Sequence, residues 1–356
     1  MKIAVISNVS LSFAPYIRFY TDLLDHNNID YCIINKEDDK SVMTSENHCV
    51  FFPGEPNSKV GKICKTIQWY SFIRYSLKEH EISKIIVSPT RTAIILFPLL
   101  FFYKSKYILD IRDYTKEYSV FYRFIEKVLI KRSYKTILSS RGFLQWIPYN
   151  NNKLLFAHNI RYEFVSDTIE HQNMQKSNRR RIAYVGIVDY YEPNTILIQA
   201  FENKNNYELV YSGTISQKCA LKEYVQSKKV DNVIFTGPYK DSAKDTLYTN
   251  VDMINALYGD VSPVTLTAIP NKLYDAVIHR IPILVSKDTY LEKVVKQYKL
   301  GVSVDIHRDN VYEIINNYLD TYNKHEFDEN CNRFLNDVKH DQEEIEKQIL
   351  NFCTER

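Results

Sequence analysis

Short apolar runs alternate with longer amphipathic segments along the whole chain. In the first half the candidate strands are Ile3–Ser7, Tyr31–Ile34, Cys49–Phe52, Lys84–Ser88, Tyr107–Ile111, Thr136–Ser139 and Leu154–Phe156. A second series follows: Ile182–Val185, Tyr207–Tyr211, Val233–Thr236, Met253–Ala256, Ile283–Val285 and Val302–Val304. Helical patterns separate most of them, which predicts a doubly wound α/β architecture. Between the two series lies a polar, basic stretch ending in Asn178-Arg179-Arg180-Arg181, the expected interdomain linker. The expected organisation is a first domain over 1–165, a linker over 166–181, a second domain over 182–326 and a carboxyl-terminal helix within 327–356. In that last segment Phe334, Leu335, Val338, Ile345, Ile349, Leu350 and Phe352 fall near helical spacing, so one face seeks burial.

Candidate chemistry concentrates in Pro270–Ser286, where a helix start runs into a buried strand. Pro suits a first helical turn, and Asn271 is placed to cap it. Lys272 and Asp275 then fall on one helical face close to an end whose partial positive charge favours anions. This is an arrangement for a nucleotide: amides and a lysine for phosphates, a carboxylate for two ribose hydroxyls. Three glycines, Gly186, Gly213 and Gly237, each follow a predicted strand of the second series. Glycine lets backbone approach a ligand, and strand carboxyl ends are the ligand edge of such sheets.

The stretch Pro270-Asn271-Lys272-Leu273-Tyr274-Asp275 through Ile283 resembles the donor-binding signature of GT-B glycosyltransferases, close to their family-4-like retaining branch. Tyr107–Asp113 is similar to that family's D-x-R-D strand end, and Thr136–Ser140 to its I-x-V-S strand. The resemblance implies two Rossmann-like domains facing a cleft, with the carboxyl-terminal helix packing back on the first. It also implies transfer of a sugar from a nucleotide diphosphate sugar, without cofactor or metal. The donor would be held by Gly186, Gly213, Thr214, Gly237, Tyr239, Asn271, Lys272, Leu273 and Asp275. Lys272 and Asp113 are the implied catalytic residues, and Ser10, Asp110 and Arg112 would face the acceptor. The sequence departs from the family at three places: Thr267 stands where a second Glu is common, Arg280 replaces a small Gly, and no Arg/Lys pair follows Gly186.

Composition fits a globular enzyme: 356 residues, 45% hydrophobic and 25% charged. Six cysteines without a C-x-x-C pair suggest neither a zinc ribbon nor a disulfide framework, and the nine histidines show no H-x-x-x-H spacing. Metal catalysis is therefore not expected. Gly54–Lys62 looks like a phosphate loop but has the wrong spacing, with Ile63 where Ser or Thr should be. The chain opens directly on a strand, which points to a cytoplasmic protein without a signal peptide. The longest apolar run, Thr92–Tyr103, is too short to span a bilayer.

Charge is uneven. Lys59–Arg141 carries 17 Lys and Arg against 6 Asp and Glu, a net of +11 in a chain of net +3. Within it Phe121–Arg132 mixes bulky apolar and basic residues in the manner of a membrane-surface helix, with Phe121, Phe124 and Leu129 as expected inserting residues. A core-facing helix with a solvated basic face is the alternative. No nucleic-acid motif accompanies the charge. The resulting expectation is a glycosyltransferase of surface polysaccharide synthesis, acting on a lipid-linked or oligosaccharide acceptor at the inner membrane surface. Two rivals are a non-catalytic subunit of the same fold and a nucleotide-sugar epimerase.

Overall fold

The computed structural model describes residues 2–11, 14, 16–38, 45, 47–54, 58–112, 119–147, 152–160, 179–216, 219–259 and 261–355. Of the expected linker only Arg179–Arg181 lies within them, and a strand already begins at Arg180. The chain divides into two compact units, one of Met1–His158 with His340–Arg356 and one of Asn159–Lys339.

The first unit holds strands β1 (Lys2–Ser7), β2 (Tyr31–Lys36), β3 (His48–Phe51), β4 (Ile82–Ser88), β5 (Tyr107–Ile111), β6 (Thr136–Leu138) and β7 (Leu154–Phe156). They form one parallel sheet in the order β3-β2-β1-β4-β5-β6-β7. The helices are α1 (Tyr16–His26), α2 (Lys59–Glu79), α3 (Thr90–Ile95), α4 (Phe97–Leu100) and α5 (Val120–Arg132). The strands are apolar on both faces because helices cover both. Ala4 and Ile6 of β1 pack with Trp69 and Ile73 of α2, while Ile3 and Val5 face Ile17 and Tyr20 of α1.

The second unit repeats the plan with β8 (Arg180–Val185), β9 (Tyr207–Ser212), β10 (Val233–Gly237), β11 (Met253–Ala256), β12 (Ile283–Ser286) and β13 (Gly301–Val304). Their order is β10-β9-β8-β11-β12-β13, again parallel. Its helices are α6 (Tyr191–Phe201), α7 (Leu221–Lys228), α8 (Asn271–Ile278), α9 (Tyr290–Tyr298) and α10 (Val311–Thr321). In both sheets the chain leaves the central strand in one direction and later returns to its other side. That reversal is the switch point where ligands bind in open α/β sheets: between β1 and β4 in one unit, between β8 and β11 in the other.

The last helix, α11 (Lys324–Thr354), is 31 residues long. Phe327, Cys331, Phe334 and Val338 enter a core of the second unit, and Ile345, Ile349, Phe352 and Cys353 enter one of the first. Steps of three, four and seven keep Phe327 through Ile349 on one stripe, which Phe352 and Cys353, three and four residues on, continue. In the first unit Asp341 at the start of this second half accepts both Arg141 guanidinium nitrogens at 2.7 Å and His158 Nε2 at 2.9 Å.

Candidate functional site

Gly186 directly follows strand β8 and Gly213 follows β9, both with φ values (130° and 135°) that L side chains rarely adopt. Gly186 N–H donates to the Ser212 carbonyl and Gly213 N–H to that of Gly237. The two turns touch: a Cβ on Gly213 would fall 1.9 Å from the Gly186 carbonyl oxygen. Glycine is required there by packing as well as by φ. The three glycines thus line up at one edge of one sheet, as expected from the sequence. Thr214 is exposed just beyond, and half-buried Tyr239 packs against the core under α8.

Helix α8 begins one residue earlier than a capping Asn271 requires. Pro270 occupies the capping position, with no side-chain cap, and Asn271 is the first helical residue. Proline has no side-chain acceptor, and the Asn271 amide oxygen instead accepts Asn159 Nδ2 at 2.6 Å. The amides of Asn271 and Lys272, in the first turn, lack intrahelical acceptors. Leu273 is fully buried and anchors the turn.

Lys272 is 7% exposed. Its Nζ lies 3.7 Å from the Tyr184 ring centroid and 5.5 Å from that of Tyr258, and a Cβ on Gly186 would stand 3.8 Å away. Gly186 follows β8 and Tyr258 follows β11, so the ammonium sits at the switch point. Among the described residues no carboxylate forms an ion pair with it. Burial lowers its pKa to about 7, opposed by Asp275 and reinforced by Lys244. The two aromatic faces favour the cation.

Asp275, one turn on, accepts Lys244 Nζ on Oδ1 at 2.8 Å and the Tyr248 hydroxyl on Oδ2 at 2.7 Å. Burial and Asp275 hold the Tyr248 pKa far up, so it stays a donor. Sequence reading missed Lys244, Tyr248, Tyr184 and Tyr258. Lys244 lies in a polar stretch without periodicity, and the tyrosines are three among 28.

Two of the family departures acquire physical meaning. Thr267 is buried, its hydroxyl donating to the carbonyls of Pro263 and Val264. Arg280 adopts φ 52°, the left-handed conformation that suits Gly. It closes α8: Arg280 N–H donates to Val277 O and Ile281 N–H to Ala276 O. Its guanidinium is held by Asp328 O and Asn332 Oδ1, contacts from α11 that offset the backbone cost.

In the first unit Asp110, in β5, is fully buried. It accepts the Tyr20 hydroxyl at 2.7 Å, and Arg112 Nε lies 2.8 Å from one of its oxygens and 2.9 Å from the other. The Arg112 guanidinium lies over the Tyr16 ring at 4.8 Å. Asp110 thus positions Arg112 and Tyr20. Ser10 is half-buried in the loop after β1, and Asp113 lies outside the described residues.

No protein-family profile matches the sequence, and no curated protein matches it. Solved structures do. Sucrose-phosphate synthase from Thermosynechococcus elongatus matches with a TM-score of 0.70 at 12% identity, covering 99% of this chain and 98% of that one. HepE of Anabaena, solved in complex with UDP, gives 0.69 at 14% identity over 99% and 100% of the two chains. WaaG, a glycosyltransferase involved in lipopolysaccharide biosynthesis, gives 0.64 at 11% identity over 99% and 100%. With two Rossmann-like parallel-sheet units and full-length likeness to these structures, the chain has the GT-B fold.

Proposed function

We propose that this chain is a glycosyltransferase that takes a hexosyl group from a nucleotide diphosphate sugar and delivers it, with retention, to a glycan acceptor carried on a lipid. The observation that carries this reading is the buried Lys272 ammonium at the β8–β11 switch point, beside the first turn of α8 and the Gly186 turn. Glycosyl transfer leaves charge on the departing diphosphate. Fixed cations and backbone donors aimed at such charge are the largest usual contribution to catalysis. Lys272 and the α8 amides supply that stabilisation, with the Gly213 turn beside them. Each Asp275 oxygen keeps acceptor capacity after its bond to Lys244 or Tyr248, enough for two ribose hydroxyls. A uridine nucleotide is the natural first probe, since HepE was solved with UDP and with UDP-glucose.

The first unit is assigned the acceptor, near Ser10 and Arg112. A lipid carrier is supported by α5, whose Phe121 and Phe124 are 73% and 62% exposed among basic residues. Leu129, expected to insert with them, is 1% exposed and belongs to the core, where it packs with Ile125 and Ile130 of the same helix. Among the described residues no helix is long and apolar enough to cross a membrane.

The test is thermal shift with a panel of nucleoside diphosphates, followed by donor hydrolysis over a set of nucleotide sugars. Stabilisation by one diphosphate and hydrolysis of its sugar conjugates are expected. Absence of stabilisation by every nucleotide would favour a non-catalytic subunit of the same fold.

A further inference from the structure

Cys32 on β2, Cys49 on β3 and His80 at the end of α2 are 17 and 31 residues apart in sequence, and no local spacing joins them. The fold brings them together. Cys32 Sγ lies 3.5 Å from Cys49 Sγ, Cys49 Sγ lies 3.1 Å from His80 Nε2, and all three atoms fall within 4.8 Å of one another. Adjacent parallel strands set the two thiols side by side, and the carboxyl end of α2 lowers the imidazole onto them. We propose that these three side chains form a binding site for one thiophilic divalent cation of the zinc class.

The geometry is close to what such an ion requires. Zn–S bonds of about 2.3 Å and Zn–N bonds of about 2.0–2.1 Å at tetrahedral angles separate two sulfurs by about 3.8 Å and a sulfur from a nitrogen by about 3.6 Å. The Sγ–Sγ and Cys49 Sγ–His80 Nε2 distances each lie within about half an ångström of these values, and the third pair is no more than 4.8 Å apart. The donor set of two soft sulfurs and one imidazole selects zinc or its thiophilic neighbours over magnesium or calcium. Hydrogen bonding from Cys32, with help from His80 and Ser76 and against the cost of burial, draws the Cys49 thiol down. The Cys32 thiol is held up as the donor of that bond. Ligation by two thiolates would neutralise the ion in a site where Cys32 is buried and Cys49 and His80 are half-buried. The half-buried side leaves a fourth position for water. Occupation would tie the end of α2 to the β3 edge of the first sheet.

Cobalt(II) titration of the reduced, chelator-treated full chain tests the site. Expected is thiolate-to-cobalt charge-transfer absorption saturating at one ion per chain and displaced by zinc. Cys49→Ser should abolish the absorption, and His80→Gln should weaken binding at least tenfold. Cys64→Ser, which removes an exposed thiol elsewhere, should change nothing. Circular dichroism confirms that each variant folds, and His80→Gln at the half-buried helix end is the conservative probe should Cys49→Ser misfold. Lack of thiolate absorption in the wild type, or equal absorption in wild type, Cys49→Ser and His80→Gln, would overturn the proposal. So would a Cys32–Cys49 disulfide after anaerobic purification.

Discussion

The Lys272 ammonium nitrogen stands 3.7 Å above the centroid of the Tyr184 ring. The ring belongs to β8 and the lysine to the first turn of α8, so the contact fixes the cation where strand end and helix start meet. Burying an ammonium that pairs with no carboxylate among the described residues is costly, and burial draws its pKa down to about 7. An anionic ligand would remove the cost.

The first prediction follows from this pKa. In the unfolded chain Lys272 titrates near about 10.4, so between roughly pH 7 and 10 the unfolded state binds more protons than the folded one. Stability contributed through this group must therefore rise with pH in that window, by up to about 1.4 kcal/mol per pH unit. A bound diphosphate raises the Lys272 pKa, so affinity for UDP-glucose should fall as pH rises from 7 to 9. Calorimetry at pH 8 in buffers of different ionisation enthalpy should show proton uptake approaching one. PH-independent binding without proton uptake would contradict the assignment.

Asp275 supplies the second prediction. Asp275→Asn should weaken UDP binding about tenfold, roughly 1–2 kcal/mol for charge-assisted hydrogen bonds, while 2′-deoxy-UDP loses less. A mutant that prefers ribose as strongly as wild type would show that Asp275 serves only Lys244 and Tyr248.

The carboxyl-terminal helix supplies the third. Ile349→Ala should cost about 2–5 kcal/mol because Ile349 is fully buried. Hydrogen bonds from His158 and Arg141 hold the Asp341 pKa low against the opposing effect of burial. Its stability contribution is present above the unfolded pKa near about 3.9 and is lost as pH falls through the lower, folded value. Asp341→Asn should therefore cost about 1–2 kcal/mol at neutral pH, discounted because Arg141 is half exposed, and the gap should narrow as pH falls below about 3.9. Chemical denaturation across pH 3–7 checks both, and a gap that does not change with pH would refute the ion-pair origin.

Membrane association is the fourth. Anionic vesicles should sediment the protein at low salt, at roughly 1 kcal/mol per basic residue near the surface, and release it at high salt. Arg123, Lys127 and Lys131, all exposed on α5, are the residues to reverse to Glu, together with Phe121→Ser and Phe124→Ser. Arg132 is a poor choice, since its guanidinium holds the Phe101 carbonyl and ring. Equal sedimentation by wild type and the charge-reversed variant would leave α5 an ordinary solvated helix.

The parallel sheets were legible because their strands are continuous apolar runs, such as Ile3-Ala4-Val5-Ile6, that only a doubly covered sheet buries. The stripe of α11 was legible from its period. At the site, Lys272 and Asp275 lie in one helical turn, and the glycines follow strands, so local spacing exposed them. What completes the arrangement comes from far along the chain: Lys244 reaches Asp275 across 31 residues and Tyr248 across 27. The same holds for Cys32, Cys49 and His80. A sequence carries no local mark of a contact that only strand order creates, and Leu129 shows the converse, where composition suggested a surface that helical phase places in the core.

The most direct test compares wild type and Lys272→Ala for binding of UDP and of uridine by calorimetry. If Lys272 holds the diphosphate, UDP affinity falls by at least about thirtyfold, roughly 2 kcal/mol, while uridine affinity stays within about twofold. Equal loss of both ligands would show that Lys272 only supports the fold, and would contradict the account.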